Sequence, residues 1–313
     1  MIIILSLFMA RPLLSPLLVS VVALLGFAGQ PARAAKPVVV AVDGTLCDLT
    51  RTMAADQASV VCLIPPGGDP HGYRLKPSDR QAISQAALVL HVGFGLTPAV
   101  SKLRSPGTIV AVGEVALPNY KGSDPHVWHN PANSAAMVRV IRQSMSSVLP
   151  SSERALLDAR AVPAAAVFNA LQSWGAKQIA SIPASQRVFV TDHKTYSHLE
   201  KRFGIKEISM LDSHTTGGVL RPSSLRKISD VIKQSGAKVI FTPSFPPSKT
   251  LRRISKSTGL PIASNPLYGE GVAAGQSAIS TATLNICTIV NAQGGACDRE
   301  GAQQLDARWS QIR

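Results

Sequence analysis

Hydrophobic positions along this chain alternate between two periods. The stretch "PVVVAVDGTLCDLTRTMAADQASVVCLIP", residues 37–65, reads as strand, helix, strand. An unbroken β-branched run such as "VVVAV" suits a strand covered on both faces. "KPSDRQAISQAALVLHVG" gives a helix, with Ser78 as expected N-cap and Gln81 closing a capping box, and then a strand. "TIVAVGE" is a further strand. "NPANSAAMVRVIRQSMSSVL" reads as a helix capped by Asn130 with Pro131 in its first position. "PSSERALLDARA" reads as a second helix, and a long Ala-rich one follows, bounded by Pro163 and Pro183.

The alternation then resumes. "RVFVTD", "IKEISML", "AKVIFTP" and "LPIAS" read as strands. "YSHLEKRFG", "PSSLRKISDVIKQSG" and "SKTLRRISKSTG" read as helices, and "AGQSAISTATLNICTIVNA" as a helix near the end. Strands alternating with helices imply parallel sheets with right-handed crossovers. The expectation is an α/β protein with two (β/α) lobes joined by a long helix. The N-terminal lobe would span 35–150, a helical segment with the linker 151–183, and the C-terminal lobe 184–313.

Residues 1–34 read as a leader. A basic Arg11, the apolar run "PLLSPLLVSVVALLGFAG" and the small-x-small site Ala32-Arg33-Ala34 form a signal peptide pattern, with Met9 as an alternative start. Pro16 and the processing site argue against a membrane anchor. No cysteine follows the apolar run, so a free periplasmic protein is expected rather than a lipoprotein. At 45% hydrophobic and 5% aromatic, the 313 residues can bury a core built mainly of aliphatic side chains.

The net charge is +14, and +12 without Arg11 and Arg33. The basic residues are dispersed, with "KRF", "LRR" and "RPSSLRK" the densest clusters and no aromatic interleaving. That argues against nucleic-acid binding and for a solvated basic surface. Four cysteines allow three disulfide pairings, and an exported protein permits them. Proximity favours Cys47–Cys62 and Cys287–Cys297, the first tying the start of a helix to the second strand.

The candidate chemistry lies in the histidines. Asp-Pro-His occurs twice, in "GGDPHGY" and "GSDPHVWHNP", in a chain with seven histidines. In a parallel sheet the loops beyond the strands' carboxyl ends converge on one crevice. His71, His126 and His193 each sit in such a loop, two from one lobe and one from the other. Three imidazoles suit Zn²⁺. Asp69 and Asp124 would bond backbone donors or orient the rings. His91, in a strand, and His198, in a helix, read as structural, while His129 and His214 stay open. A zinc hydrolase is the competing reading, since three histidines and an open position also make a catalytic site. No His-Glu-x-x-His motif supports it.

Four segments in order carry a family resemblance: "GGDPHGYRLKPSDRQAISQAALVLHVGFGL", "DPHVWHNPANSAAMV", "RVFVTDHKTYSHLEKRFG" and "GAKVIFTPSFPPSKTLRRISKSTGLPIASNPLYGEG". The chain resembles the zinc/manganese solute-binding proteins of bacterial ABC importers, the cluster A-I family. The resemblance implies two lobes with one metal in the cleft, a rigid linker helix, a membrane permease as partner, and no enzymatic activity. A monomer is expected. His71, His126 and His193 would be ligands, and a histidine at 193 is the zinc-like version, with Mn²⁺ the alternative. The family's fourth ligand is an Asp, which the resemblance aligns with Asn265; Glu270 or a water could take that place instead. The His-rich acidic loop of many zinc-type members is absent.

Overall fold

The computed structural model describes residues 35–216 and 221–312. The expected leader, 1–34, lies outside them. In chain order, β1 (Val38–Ala41), α1 (Gly44–Ala54), β2 (Ser59–Cys62), α2 (Pro77–Gln85), β3 (Leu88–His91), β4 (Thr108–Ala111) and α3 (Val112–Ala116) lead to α4 (Pro131–Ser146). The long α5 (Arg154–Ala180) precedes β5 (Val188–His193), α6 (Ser197–Phe203) and β6 (Lys206–Leu211). Then come α7 (Pro222–Lys233), α8 (Lys249–Thr258), α9 (Ala278–Ala292) and α10 (Arg299–Ser310).

The first four strands form one parallel sheet in the order β2-β1-β3-β4. Val39, Ala41, Leu88 and Leu90 face a core shared with α1, α4 and α5. Val40, Val42 and Val89 face the opposite side, under α2. Both faces are therefore covered, as the unbroken valine run requires. In the second sheet β5 pairs with β6 in parallel. The expected strands "AKVIFTP" and "LPIAS" join it only as single bridges, Val190 to Ile240 and Ile240 to Ile262. Backbone bonds from Phe241 to Val190 and from Ala263 to Ile240 hold them, but the chain turns away before a ladder forms.

Two helix boundaries differ from expectation. Ser78 does not cap α2. The helix begins at Pro77, and the Asp79 carboxylate accepts the Lys76 N–H at 2.8 Å, supplying the cap. Pro163 does not start a helix either: α5 is continuous over 27 residues with Pro163 inside it. Proline removes one helical hydrogen bond, but Pro163 is exposed. Leu157, Ala161, Ala164, Val167, Phe168 and Leu171 bury the inner face on both sides of it. Packing holds the helix where propensity would break it.

The two cysteine pairs are those favoured by proximity, Cys47–Cys62 and Cys287–Cys297. The first joins α1 to the end of β2, just before the loop that carries His71. The buried Asp48 carboxylate of α1 accepts the Ala278 N–H at 2.8 Å and the Trp309 indole N–H at 3.0 Å. One side chain thus ties α1 to the start of α9 and to α10. Helix α10 is an element beyond those expected from the hydrophobic pattern.

Candidate metal centre

The two Asp-Pro-His segments fold alike. Asp69 accepts the backbone N–H of His71 at 2.8 Å, and Asp124 accepts that of His126 at 3.0 Å. A short polar side chain that bonds the backbone two residues on makes a local turn, and the proline between them narrows the alternatives. Each turn sets a histidine at the mouth of the first sheet. His193 ends β5, and its backbone N–H donates to the Asp192 carboxylate at 2.9 Å.

The four side chains His71, His126, His193 and Glu270 meet with one ligand atom from each within 4.8 Å of one another. The Nε2 atoms of His71 and His126 are 3.1 Å apart. Glu270 Oε2 lies 3.2 Å from His71 Nε2 and 3.3 Å from His126 Nε2, and Oε1 lies 2.7 Å from His193 Nε2. A tetrahedron with metal–nitrogen bonds of about 2.0–2.1 Å has edges of about 3.3–3.4 Å. The four groups are thus spaced for a single small cation. All are largely removed from solvent, with Glu270 the most open at 11% side-chain exposure.

Carboxylates orient two of the three rings. Asp124 Oδ1 lies 2.7 Å from His126 Nδ1, and Asp192 Oδ1 lies 3.0 Å from His193 Nδ1. A carboxylate accepts, so both rings hold their proton on Nδ1 and turn Nε2 inward. His71 Nδ1 is buried without a partner. Burial alone would lower the His126 pKa, but bonds to Asp124 and Glu270 outweigh it and raise it to about 9. His193, likewise buried, is raised to about 10 by Asp192 and Glu270. Burial would raise the pKa of Glu270, yet the three imidazoles hold it far below the usual carboxylate range. In the absence of metal the site is a carboxylate sharing protons with histidines.

Glu270 sits in "GEG". A Cβ at Gly269 would come within 2.7 Å of the Thr195 methyl, and Gly271 adopts φ +116°, which side-chain-bearing residues avoid. The loop is bonded to its surroundings on both flanks. Gly67 N–H donates to the Val272 carbonyl at 2.8 Å, and the Gly269 carbonyl accepts from His129 Nε2 at 3.0 Å. Burial, then the nearby His126, pushes the His129 pKa down to about 3, so this ring is a neutral donor.

Asn265 is not brought to the cluster. It is exposed and lines a surface cavity of about 750 Å³ with Ser264, Gln276 and Arg299. The chain passes Asn265 as it leaves the Ile262 bridge and reaches the cleft only at Glu270, which fills the fourth corner. His214 lies nearby but outside the four. Its Nδ1 is 2.9 Å from the Lys194 carbonyl oxygen and 3.6 Å from Asp124 Oδ1. His198 has Asn133 and the Asp124 carbonyl as partners, as its structural reading requires. His91 ends β3, away from the four. His129, left open by its sequence, bonds the Gly269 carbonyl, and Asp192 orients His193. An acidic residue within two positions before each of the three clustered histidines is the sequence signal for Asp192. His129 acts through a backbone atom 140 residues away, and no local signal exists for that.

A family model described as zinc-uptake complex component A, periplasmic, matches residues 39–292. The manganese-binding lipoprotein MntA of Halalkalibacterium halodurans is 28% identical over 72% of this chain and 77% of its own. The zinc-binding protein TroA of Treponema pallidum is 26% identical over 70% of this chain and 74% of its own. The solved structure of the T. pallidum periplasmic zinc-binding protein TroA superposes with a TM-score of 0.77 at 24% identity, covering 83% of this chain and 99% of that one. Fe(III)-bound YtgA from Chlamydia trachomatis superposes with a TM-score of 0.76 at 20% identity, covering 84% and 100%. The chain belongs to the family of periplasmic zinc-uptake component A proteins. These are metal-binding substrate-binding proteins of ABC transporters, not enzymes.

Proposed function

We propose that the chain captures Zn²⁺ in the periplasm between His71, His126, His193 and Glu270 and hands it to a membrane ABC permease. The observation that carries this reading is the convergence of three imidazole Nε2 atoms and one carboxylate within 4.8 Å. Three nitrogen donors and one oxygen suit zinc, while Mn²⁺ prefers oxygen-rich sets. With Glu270 at the fourth corner there is no open position for an activated water, so the donor set is a holding site. Burial of all four groups slows exchange with solvent.

In this reading the N-terminal lobe, 35–150, supplies two ligands. The C-terminal lobe, 184–313, supplies two more, and the helical segment 151–183 connects them. The protein acts as a monomer. Asp124 and Asp192 raise the basicity of their histidines and fix their tautomers. Release requires the Glu270 loop to part from Gly67 and His129, a small inter-lobe movement rather than a wide hinge.

Zn²⁺ and Mn²⁺ titrations of the metal-free protein against a competing chelator test this. One tight zinc site that manganese cannot displace at equal concentration is the expected result. Manganese preference, or no saturable site, would overturn it.

A further inference from the structure

More than half of the chain's net charge comes from one short stretch. Residues 221–256 hold nine Lys and Arg and a single acidic residue, Asp230, a net +8 of the chain's +14. In the sequence these residues look scattered. The fold gathers them, because α7 and α8 lie side by side: Ser257 Oγ donates to Ser229 Oγ at 2.7 Å, and Ile232, Leu251 and Ile254 share one apolar cluster beneath the second sheet.

The apolar residues take the inner faces and leave the outer faces basic. On α8, Lys249, Arg252, Arg253 and Lys256 are spaced i, i+3, i+4 and i+7, which is one stripe along a helix. All four are exposed. Arg221, Arg226, Lys227 and Lys233 extend the surface across α7, and all are exposed. Among the described residues, no ion pair joins any of the nine basic side chains to an acid. Four residues before the α8 stripe, Phe245 stands 51% exposed, and Val231 on α7 is 44% exposed.

We propose that the α7–α8 face is a docking surface for an anionic phospholipid membrane. A protein partner would have to present a matching acidic patch in fixed register. Here the two helices carry basic side chains with a single acid, Asp230, and an exposed Phe245 precedes the α8 stripe by four residues. That surface fits a fluid array of phosphate headgroups, which offers charge without register. Phe245 is suited to the headgroup boundary, where amphipathic burial of an aromatic ring is favourable. Docking would hold a soluble carrier close to the membrane that contains its permease. This inference does not depend on which metal the cleft takes.

The test is co-sedimentation of the chain from Lys36 onward, which forms one compact unit, with large unilamellar vesicles. One set holds phosphatidylethanolamine with one quarter phosphatidylglycerol, and the other is wholly zwitterionic. A variant carrying K249Q, R252Q, R253Q and K256Q is compared with a charge-matched control carrying R80Q, K102Q, R104Q and K121Q on other exposed surfaces. Zinc titration of both variants confirms that they fold.

The native chain and the control should bind the anionic vesicles only, and binding should fall steeply between 50 and 300 mM salt as charges are screened. Each basic residue at a membrane surface strengthens binding about fivefold, so the α8 variant should lose on the order of a hundredfold or more. F245A should weaken binding without altering its salt dependence. Equal loss in both charge variants would reduce the effect to net charge and overturn the proposal. So would absence of binding to anionic vesicles, or retention on a soluble polyanion such as heparin without vesicle binding.

Discussion

His129 and Gly269 are joined by a hydrogen bond of 3.0 Å, from the ring Nε2 to the backbone carbonyl that precedes Glu270. The donor stands three residues after His126, and the acceptor one residue before Glu270, both members of the four-residue cluster. The bond therefore connects the two halves of the site through the backbone. His129→Phe keeps the ring contact with Tyr196 but leaves the Gly269 carbonyl buried without a donor. We expect a stability loss of about 1–3 kcal/mol in urea unfolding. Zinc dissociation should also accelerate about tenfold or more, with partial rescue by His129→Gln. Unchanged dissociation in the Phe variant would show that the bond does not position Glu270.

The fourth corner separates Glu270 from Asn265. Glu270→Gln keeps the shape and removes the charge, and zinc affinity should fall by about a hundredfold or more. In the metal-free variant the pKa values of His126 and His193 should drop, because Glu270 helps to raise both. Histidine ring NMR reads this directly. Asn265→Asp should leave zinc affinity within about twofold of native, since residue 265 is exposed outside the cluster.

The pH dependence follows from the same network. His126 and His193 titrate at about 9 and about 10 without metal, so both carry an extra proton at neutral pH. Zinc takes only neutral imidazole and must displace these protons. Apparent affinity should therefore rise with pH between 6 and 9, by up to about tenfold per unit for each proton released. Calorimetry in buffers of different ionisation enthalpy counts the protons. For the metal-free fold the sign is opposite. Folded pKa values above the unfolded value of about 6.5 stabilise fully below that pH, and the contribution is lost as pH rises through 9 to 10. Metal-free Tm should thus fall from pH 7 to pH 10 more than zinc-loaded Tm.

Much of this was legible in the sequence. The valine run and the alternation of strands and helices pointed to the parallel sheets, and the repeated Asp-Pro-His to a cluster of histidines, although His126 follows α3 rather than a strand and His193 is the last residue of β5. Those signals are local. What the sequence hid depends on tertiary packing. Nothing near Pro163 announces that a buried face continues through it. The chain from Ile262 to Glu270 offers several polar side chains, and only the fold determines which of them reaches the cleft. The basic residues of α7 and α8 share one stretch of sequence, 221–256, but that they lie on exposed helix faces, with the apolar residues turned inward, is set by packing.

The disulfide Cys47–Cys62 closes a 15-residue separation at the base of the His71 loop. Replacing both cysteines with alanine should cost about 3 kcal/mol through the greater freedom of the unfolded chain. Urea unfolding checks the value. Zinc affinity should weaken less than in Glu270→Gln, because the disulfide touches no donor atom.

Zinc K-edge X-ray absorption of the zinc-loaded protein reads the donor set itself. Three imidazole nitrogens at about 2.0–2.1 Å and oxygen from a carboxylate at about 2.0–2.2 Å are expected, with the oxygen shell altered in Glu270→Gln. Fewer than three imidazoles, a sulfur scatterer, or an oxygen-dominated six-coordinate shell would contradict the site assigned to His71, His126, His193 and Glu270.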